Sequence, residues 1–328
     1  MLNEKIFTIH DAGKASSLAH LCEGLLKNQR TSWPECGEGS RSLETARYRE
    51  IRCDGFTVLL QFNPLRMAST GAQVDPDSVR KRACFLCVEN LPPEQTGILY
   101  EGKFMILCNP APIFSPHYTI STVRHQPQKI EGSERLLLSL AEDLSGDYTI
   151  IYNGPRCGAS APDHLHFQAV PAGSMPVERE IDEERRRKYI CRLNDADLYR
   201  IEKLGRAVLL LEGDNTRRVE AAMVLLLDAM KKSLPDGHDE PMMNLLCHHN
   251  AGGWRVTVFP RRKHRPDAFC REGDDRIIVS PGAVDLGGLL VTPQERDFLR
   301  LDAQSVQSIY GEVSMDEEGL DNLLSALK

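Results

Sequence analysis

The chain has 328 residues, 41% of them hydrophobic and 27% charged, a balance that excludes global disorder and suffices for one large domain or two fused ones. Its net charge of −7 and pI near 5.8 argue against a nucleic-acid polymer as partner, because such a surface needs a concentrated excess of Lys and Arg. The N-terminus, MLNEKIFTIHDAGK, shows no basic segment followed by an apolar run, and no stretch of about 18 apolar residues occurs, so the expectation is a cytoplasmic protein with no membrane partner.

Taken in chain order, residues 14 to 29 place Leu18, Leu21, Leu25 and Leu26 on one helical face, which predicts a packing helix. Residues 32 to 46, rich in Gly, Ser and Glu, read as a polar loop. The alternating segment YREIRCDGFTVLLQFNP contains Asp54-Gly55 and predicts a hairpin, with Arg66 and Ser69 just beyond its second strand. Further strands follow through residues 97 to 125, then a Ser-capped helix over 133 to 144 and the β-rich DYTIIYN. The charge run 177 to 190 carries opposite charges at i,i+4 and predicts a solvated helix. Beyond it come a buried strand in AVLLLEGD, a long helix in TRRVEAAMVLLLDAMKKSL, a hairpin turning at Asn250 to Gly253, strands in RIIVS and DLGGLLV, and two short helices. The order strand pair, strand, helix, strand occurs before residue 170 and again after 190, which suggests a duplicated α+β unit.

Ten cysteines in a long chain without an export signal are read as reduced, most of them small buried hydrophobes. Only Cys84 and Cys87 form a CxxC. Two such thiolates are half of a tetrahedral zinc site, a redox pair, or two core residues. The redox reading is disfavoured, because this pair precedes a hairpin and Pro92-Pro93 rather than opening a helix in a βαβ unit. His125 and His164 are the best further ligands, and a closed four-ligand set is the signature of structural zinc.

The chemistry concentrates in NGPRCGASAPDHLHFQ, residues 153 to 168. In a strand, His164, His166 and Gln168 share one face. Gly154, Gly158 and Ser160 make a small-residue loop through which backbone amides can approach an anion. With His164 available as a metal ligand, His166 is left as nucleophile, and Gln168 can donate a hydrogen bond to a phosphoryl oxygen. His248 and His249 are adjacent, point to opposite faces, and cannot reproduce the row. Arg261, Arg262, Lys263 and Arg265 form a basic turn: one or two of them, with Arg261 and Lys263 as the candidates, neutralise a transferred phosphate, or the turn is merely solvated.

The order CxxC, NPAPIFSPHYTISTVRH, then NxxxxGxSxxxHxHxQ resembles the histidine-triad (HIT-like) superfamily. The terminal Gln is similar to its nucleotidyltransferase and phosphorylase branch, which contains galactose-1-phosphate uridylyltransferase, diadenosine tetraphosphate phosphorylase and the GDP-hexose phosphorylases. The resemblance implies an α+β fold of two HIT-like halves, each an antiparallel sheet with packed helices. Residues 1–175 then form the active half, with the HxHxQ row and the zinc knuckle, and 176–328 a degenerate one. It implies a covalent nucleotidyl-His166, Gln168 at the α-phosphate, and Asn153 and Ser160 at ribose or phosphate; Gly158 in the same loop and Arg66, beyond the tip of the second hairpin strand, are further substrate-binding candidates, the alternative for Arg66 being a solvated loop. It also implies structural zinc on Cys84, Cys87, His125 and His164. Magnesium is compatible with the chemistry, although no acidic cluster requires it. The expected substrates are a nucleotide sugar or dinucleoside polyphosphate, with phosphate or a sugar phosphate as acceptor. The alternatives are a nucleotide hydrolase of the same superfamily and a non-catalytic nucleotide-binding module.

Overall fold

A computed structural model describes residues 2–11, 17–232 and 240–327. Fourteen strands run through them: β1 (Ile6–His10), β2 (Arg47–Arg52), β3 (Thr57–Phe62), β4 (Gly97–Tyr100), β5 (Phe104–Cys108), β6 (Tyr118–Thr122), β7 (Tyr148–Asn153), β8 (His166–Pro171), β9 (Arg187–Leu193), β10 (Ala196–Ile201), β11 (Leu209–Gly213), β12 (Met243–Asn250), β13 (Gly253–Pro260) and β14 (Leu289–Thr292). Eleven of them form one sheet in the order β1-β4-β5-β6-β8-β7-β12-β13-β11-β10-β9, and β14-β3-β2 form a second, smaller one.

The large sheet contains one topology twice. Strands β4, β5 and β6, helix Glu134–Asp143, then β7 and β8 lie in the order 4-5-6-8-7; strands β9, β10 and β11, helix Thr216–Lys232, then β12 and β13 lie in the order 9-10-11-13-12. The two units meet where β7 and β12 pair antiparallel, from Asn153 opposite Asn244 to Ile150 opposite Cys247. The fold is thus α+β with two like halves, but their sheets are continuous rather than separate. Backbone pairing across the join satisfies edges that two isolated sheets would expose.

Strand alternation then sorts the layers. Phe167 and Ala169 of β8, Tyr152 of β7, and Val256 and Val258 of β13 pack with Leu137, Leu140, Ala222 and Leu226 of the two helices. On the opposite face Val170, Ile151, Leu246 and Phe259 pack against the small sheet and the C-terminal segment through Val58, Leu60, Leu286 and Tyr310. His166 and Gln168 therefore lie between the two sheets, away from the helices.

Helix Leu18–Ser32 and the hairpins at Asp54-Gly55 and Asn250–Gly253 form as the sequence predicts; Gly55 and Gly253 take φ of +84° and +100° in their turns. The start of the predicted first helix, residues 14 to 16, lies outside the described residues.

Five expectations are corrected. Residues 34–44 form a helix, Pro34–Glu44, rather than a loop. Pro34 opens it, and any Cβ at Gly39 would collide with the Pro110 carbonyl, so the glycine there serves packing and not flexibility. The charge run is not one helix: a single turn, Val177–Glu180, leads into β9. Its charges pair across the fold, Asp182 with Arg255 at 2.7 Å and Arg187 with Glu212, while Arg186 is buried and donates to Lys203 O and Gly55 O. Residues 276–280 form no strand, and three helices rather than two close the chain: Glu295–Arg300, Ala303–Val313 and Glu317–Ser325. All ten cysteines are free, but Cys270 is exposed rather than buried. No helix among the described residues is long and apolar enough to cross a membrane.

Candidate active site

A cavity of about 770 Å³ opens between the large sheet, the segment 66–86 and the loop 280–285. Arg66, Asn153, Gly158, Ser160, His166 and Gln168 all line it, which brings together residues 102 positions apart in sequence (168 − 66).

His166 opens β8 and is buried, with 4% of its surface exposed. Gln128, invisible to motif reading, holds its backbone: Oε1 accepts the His166 N–H at 2.8 Å, while Nε2 donates to His166 O at 3.0 Å and Asn153 O at 2.8 Å. One buried amide thus ties together the two ends of the 153–166 loop. His166 Nδ1 lies 2.8 Å from His164 O. A carbonyl only accepts, so Nδ1 carries the hydrogen and Nε2 keeps its lone pair. Burial lowers the pKa to about 4, with the His164 carbonyl opposing the shift, so the imidazole is neutral at pH 7.

Gln168 is oriented by a residue outside the HxHxQ row. His117 Nδ1 accepts the Ile113 N–H at 3.1 Å, so its Nε2 bears the hydrogen and donates to Gln168 Oε1 at 2.7 Å. With the oxygen engaged, the Gln168 Nε2 donors are left for a ligand. Burial, then the nearby Arg66 charge, lowers the His117 pKa to about 3.

Asn153 Oδ1 accepts from Asn244 Nδ2 at 2.7 Å and Ala283 N at 2.8 Å, which fastens the loop to the C-terminal segment. Gly158 has φ of +90°, and a Cβ there would stand 2.8 Å from Gly282 Cα, so only glycine fits. The Ser160 carbonyl accepts from Arg82 Nη2 at 3.1 Å.

Arg261 and Lys263 stand outside the cavity lining. Arg261 is buried, and its guanidinium donates to Val313 O, Asn244 Oδ1, Pro281 O, Lys263 O and His264 O. It braces the loops behind Asn153 and has no donor free for a phosphate. Lys263 points outward and pairs with Asp267 and Glu312. The β13 face matching the reactive row holds Arg255, paired with Asp182 at 2.7 Å and Glu212 at 3.0 Å, and no histidine lies on that strand.

The ligand atoms of Cys84, Cys87, His125 and His164 lie within 4.8 Å of one another. Cys84 Sγ is 3.2 Å and Cys87 Sγ 3.6 Å from His164 Nδ1, and Cys87 Sγ is 3.1 Å from His125 Nδ1. A tetrahedral zinc with ordinary Zn–S and Zn–N bonds sets its ligands roughly 3.3–3.8 Å apart, so the cluster fits. His164 Nε2 lies 2.7 Å from Thr122 O, which leaves Nδ1 unprotonated for a metal, and Asp163 Oδ2 lies 3.9 Å from His125 Nε2. Among the described residues no second His/Cys/Asp/Glu cluster of this kind exists.

Residues 25–171 match a family described as a domain of unknown function (DUF4922). No curated protein matches the chain in sequence. Among solved structures, yeast Ap4A phosphorylase Apa2 is similar in three forms. The complex with AMP aligns with a TM-score of 0.55 at 13% identity, the complex with Ap4A with 0.54 at 13%, each over 87% of this chain and 97% of that one. Apa2 alone aligns with 0.52 at 15% identity, over 87% of this chain and 94% of that one. The chain thus has the fold of yeast Ap4A phosphorylase Apa2 over most of its length.

Proposed function

We propose that the protein is a nucleotidyltransferase of the phosphorylase kind, working by ping-pong transfer through a nucleotidyl-histidine on His166. The observation that carries the reading is the tautomer: Nδ1–H is bound to the His164 carbonyl, and Nε2 has no partner among the described residues, in a cavity that Gln168 also lines. Nε2 attacks the α-phosphorus of a dinucleoside polyphosphate or nucleoside diphosphate sugar. The P–O bond to the departing phosphate breaks, and that group leaves as an oxyanion. Gln168 Nε2 donates to a non-bridging oxygen as charge builds. The second step reverses the first with phosphate or a sugar phosphate as acceptor. In-line displacement asks for positioning and charge stabilisation, which suits a neutral imidazole, an oriented amide and a loop held by Gln128 and Asn244.

The neighbours' complexes with Ap4A and AMP support a nucleotide or dinucleoside polyphosphate in this cavity. In this reading residues 1–175 form the catalytic half and 176–328 the degenerate half, which contributes the wall around Gly282 to Asp285. Asn153, Gly158 and Ser160 hold the nucleotide at its ribose or phosphate. Cys84, Cys87, His125 and His164 hold a structural zinc, which when bound cross-links the knuckle to the backbone two residues before His166.

The test is intact-protein mass spectrometry after mixing with Ap4A and a panel of nucleotide sugars. A nucleotide-sized adduct in wild type, absent in His166→Ala, is expected. The mechanism is rejected if no nucleotide leaves an adduct.

A further inference from the structure

The segment 64–83 forms one wall of the cavity, and not one of its residues is buried. Its sequence, PLRMASTGAQVDPDSVRKRA, is poor in large apolar side chains, and none of them joins a packed hydrophobic cluster. Two short helical stretches lie in it, Met67–Thr70 and Pro76–Arg80. Every backbone–backbone hydrogen bond of the segment closes within it or on Asn63. Both flanks, by contrast, are fixed. Asn63 is buried, with its N–H donating to Thr292 O at 3.0 Å and its Nδ2 to Pro112 O at 3.0 Å. Cys84 is buried within the Cys/His cluster.

Among the described residues the side-chain hydrogen bonds between this segment and the body run through three arginines. Arg66 Nη1 donates to Ala111 O at 2.9 Å, and Arg82 Nη2 donates to Ser160 O and Asp163 Oδ1, each at 3.1 Å. The third comes from the other half of the chain: Arg265 Nη2 donates to Ala72 O at 2.7 Å, and its Nε donates to Ser280 Oγ at 2.9 Å. The Arg265 guanidinium is steadied by the Phe269 ring, 4.1 Å from its centroid. Ala72 and Ser280 both line the cavity, so this one side chain bridges two of its walls.

A stretch with no buried side chain and no backbone pairing to the body opens at little free-energy cost while its fixed flanks stay in place. We propose that residues 64–83 form a lid that moves between Asn63 and Cys84 to admit and release ligand, and that Arg265 is the latch that holds it closed. A ligand filling the cavity meets Ser69, Gln73 and Ser78 of the lid and thereby favours the closed state. Such a lid governs entry and release, whichever chemistry His166 performs.

Wild type, Arg265→Ala and Arg265→Lys test this, with AMP as the probe and the fluorescence of Trp33, which lines the cavity, as the stopped-flow signal. Loss of the latch raises the open fraction, so AMP should both associate with and dissociate from Arg265→Ala roughly threefold or more faster than with wild type. Arg265→Lys keeps a donor and should fall between. If Arg265 instead touches the ligand, dissociation alone quickens and association is unchanged or slower; that result overturns the latch. Limited trypsin digestion needs no ligand. Cleavage after Arg80 or Lys81 should be roughly threefold or more faster in Arg265→Ala than in wild type, and equal rates overturn the latch. Bound AMP should slow the same cleavage in wild type, and cleavage indifferent to bound AMP overturns the lid. If AMP does not bind, the nucleotide reading fails and digestion of the unliganded proteins alone decides. Arg265 is half-buried, so both variants are expected to fold, and circular dichroism checks it.

Discussion

His117 Nε2 stands 2.7 Å from Gln168 Oε1, and the Ile113 N–H at His117 Nδ1 leaves the imidazole hydrogen no other place to point. An amide side chain can present either end to a ligand; this bond selects the donor end. His117→Ala frees Gln168 to turn and should slow single-turnover adduct formation roughly ten- to a hundredfold with a smaller change in KM. His117→Gln, which keeps a donor, should recover part of the rate. An unchanged rate in His117→Ala would show that Gln168 needs no such support.

The Cys84, Cys87, His125 and His164 cluster leads to a metal prediction. Protein purified without chelator should carry about one zinc per chain, and Cys84→Ser should lower the melting temperature by roughly 5 °C or more. Because the carbonyl of His164 holds His166 Nδ1, adduct formation should slow as well. Zinc well below one per chain by elemental analysis contradicts the assignment.

Two neighbouring basic residues should behave oppositely. Arg261→Ala removes five hydrogen bonds from a buried network and leaves Asn244 Oδ1 and four carbonyls without that donor, a loss on the order of 3–5 kcal/mol. Lys263→Ala loses only ion pairs at the surface and should leave the urea midpoint essentially unchanged. Urea denaturation of both variants decides; similar losses would contradict the placement of Arg261 as a brace.

Glu240 supplies a pH dependence. It is buried, Tyr152 Oη donates to its Oε1 at 2.7 Å, and burial pushes its pKa from 4.5 to about 7. The folded pKa lies above the unfolded one, so its contribution to stability is full below about pH 4.5 and is lost as the pH rises through about 7. The change is on the order of 2–3 kcal/mol. Glu240→Gln cannot ionise and should lose less stability than wild type between pH 5 and pH 8. Parallel denaturation profiles for the two proteins across that range would refute the assignment.

The sequence by itself determined which face of β8 carries chemistry. The alternation of His166 and Gln168 with Phe167 and Ala169 is a local property, and any strand built from those residues must separate them. It likewise determined the hairpin turns, since Asp54-Gly55 and Gly253 favour backbone angles that other residues resist, and it marked Cys84, Cys87, His125 and His164 by residue type and order. The tertiary structure decided what local pattern cannot encode. Charges spaced for a helix over 177 to 190 became cross-strand and loop partners because β9 found β10 beside it. Glycines read as a loop lie in a helix, where Gly39 leaves room for the Pro110 carbonyl. The basic turn divided into a buried brace and a surface lysine according to depth alone. His117, 51 residues before Gln168, became its partner only when β6 paired with β8, because a hydrogen bond depends on distance in space and the topology sets that distance.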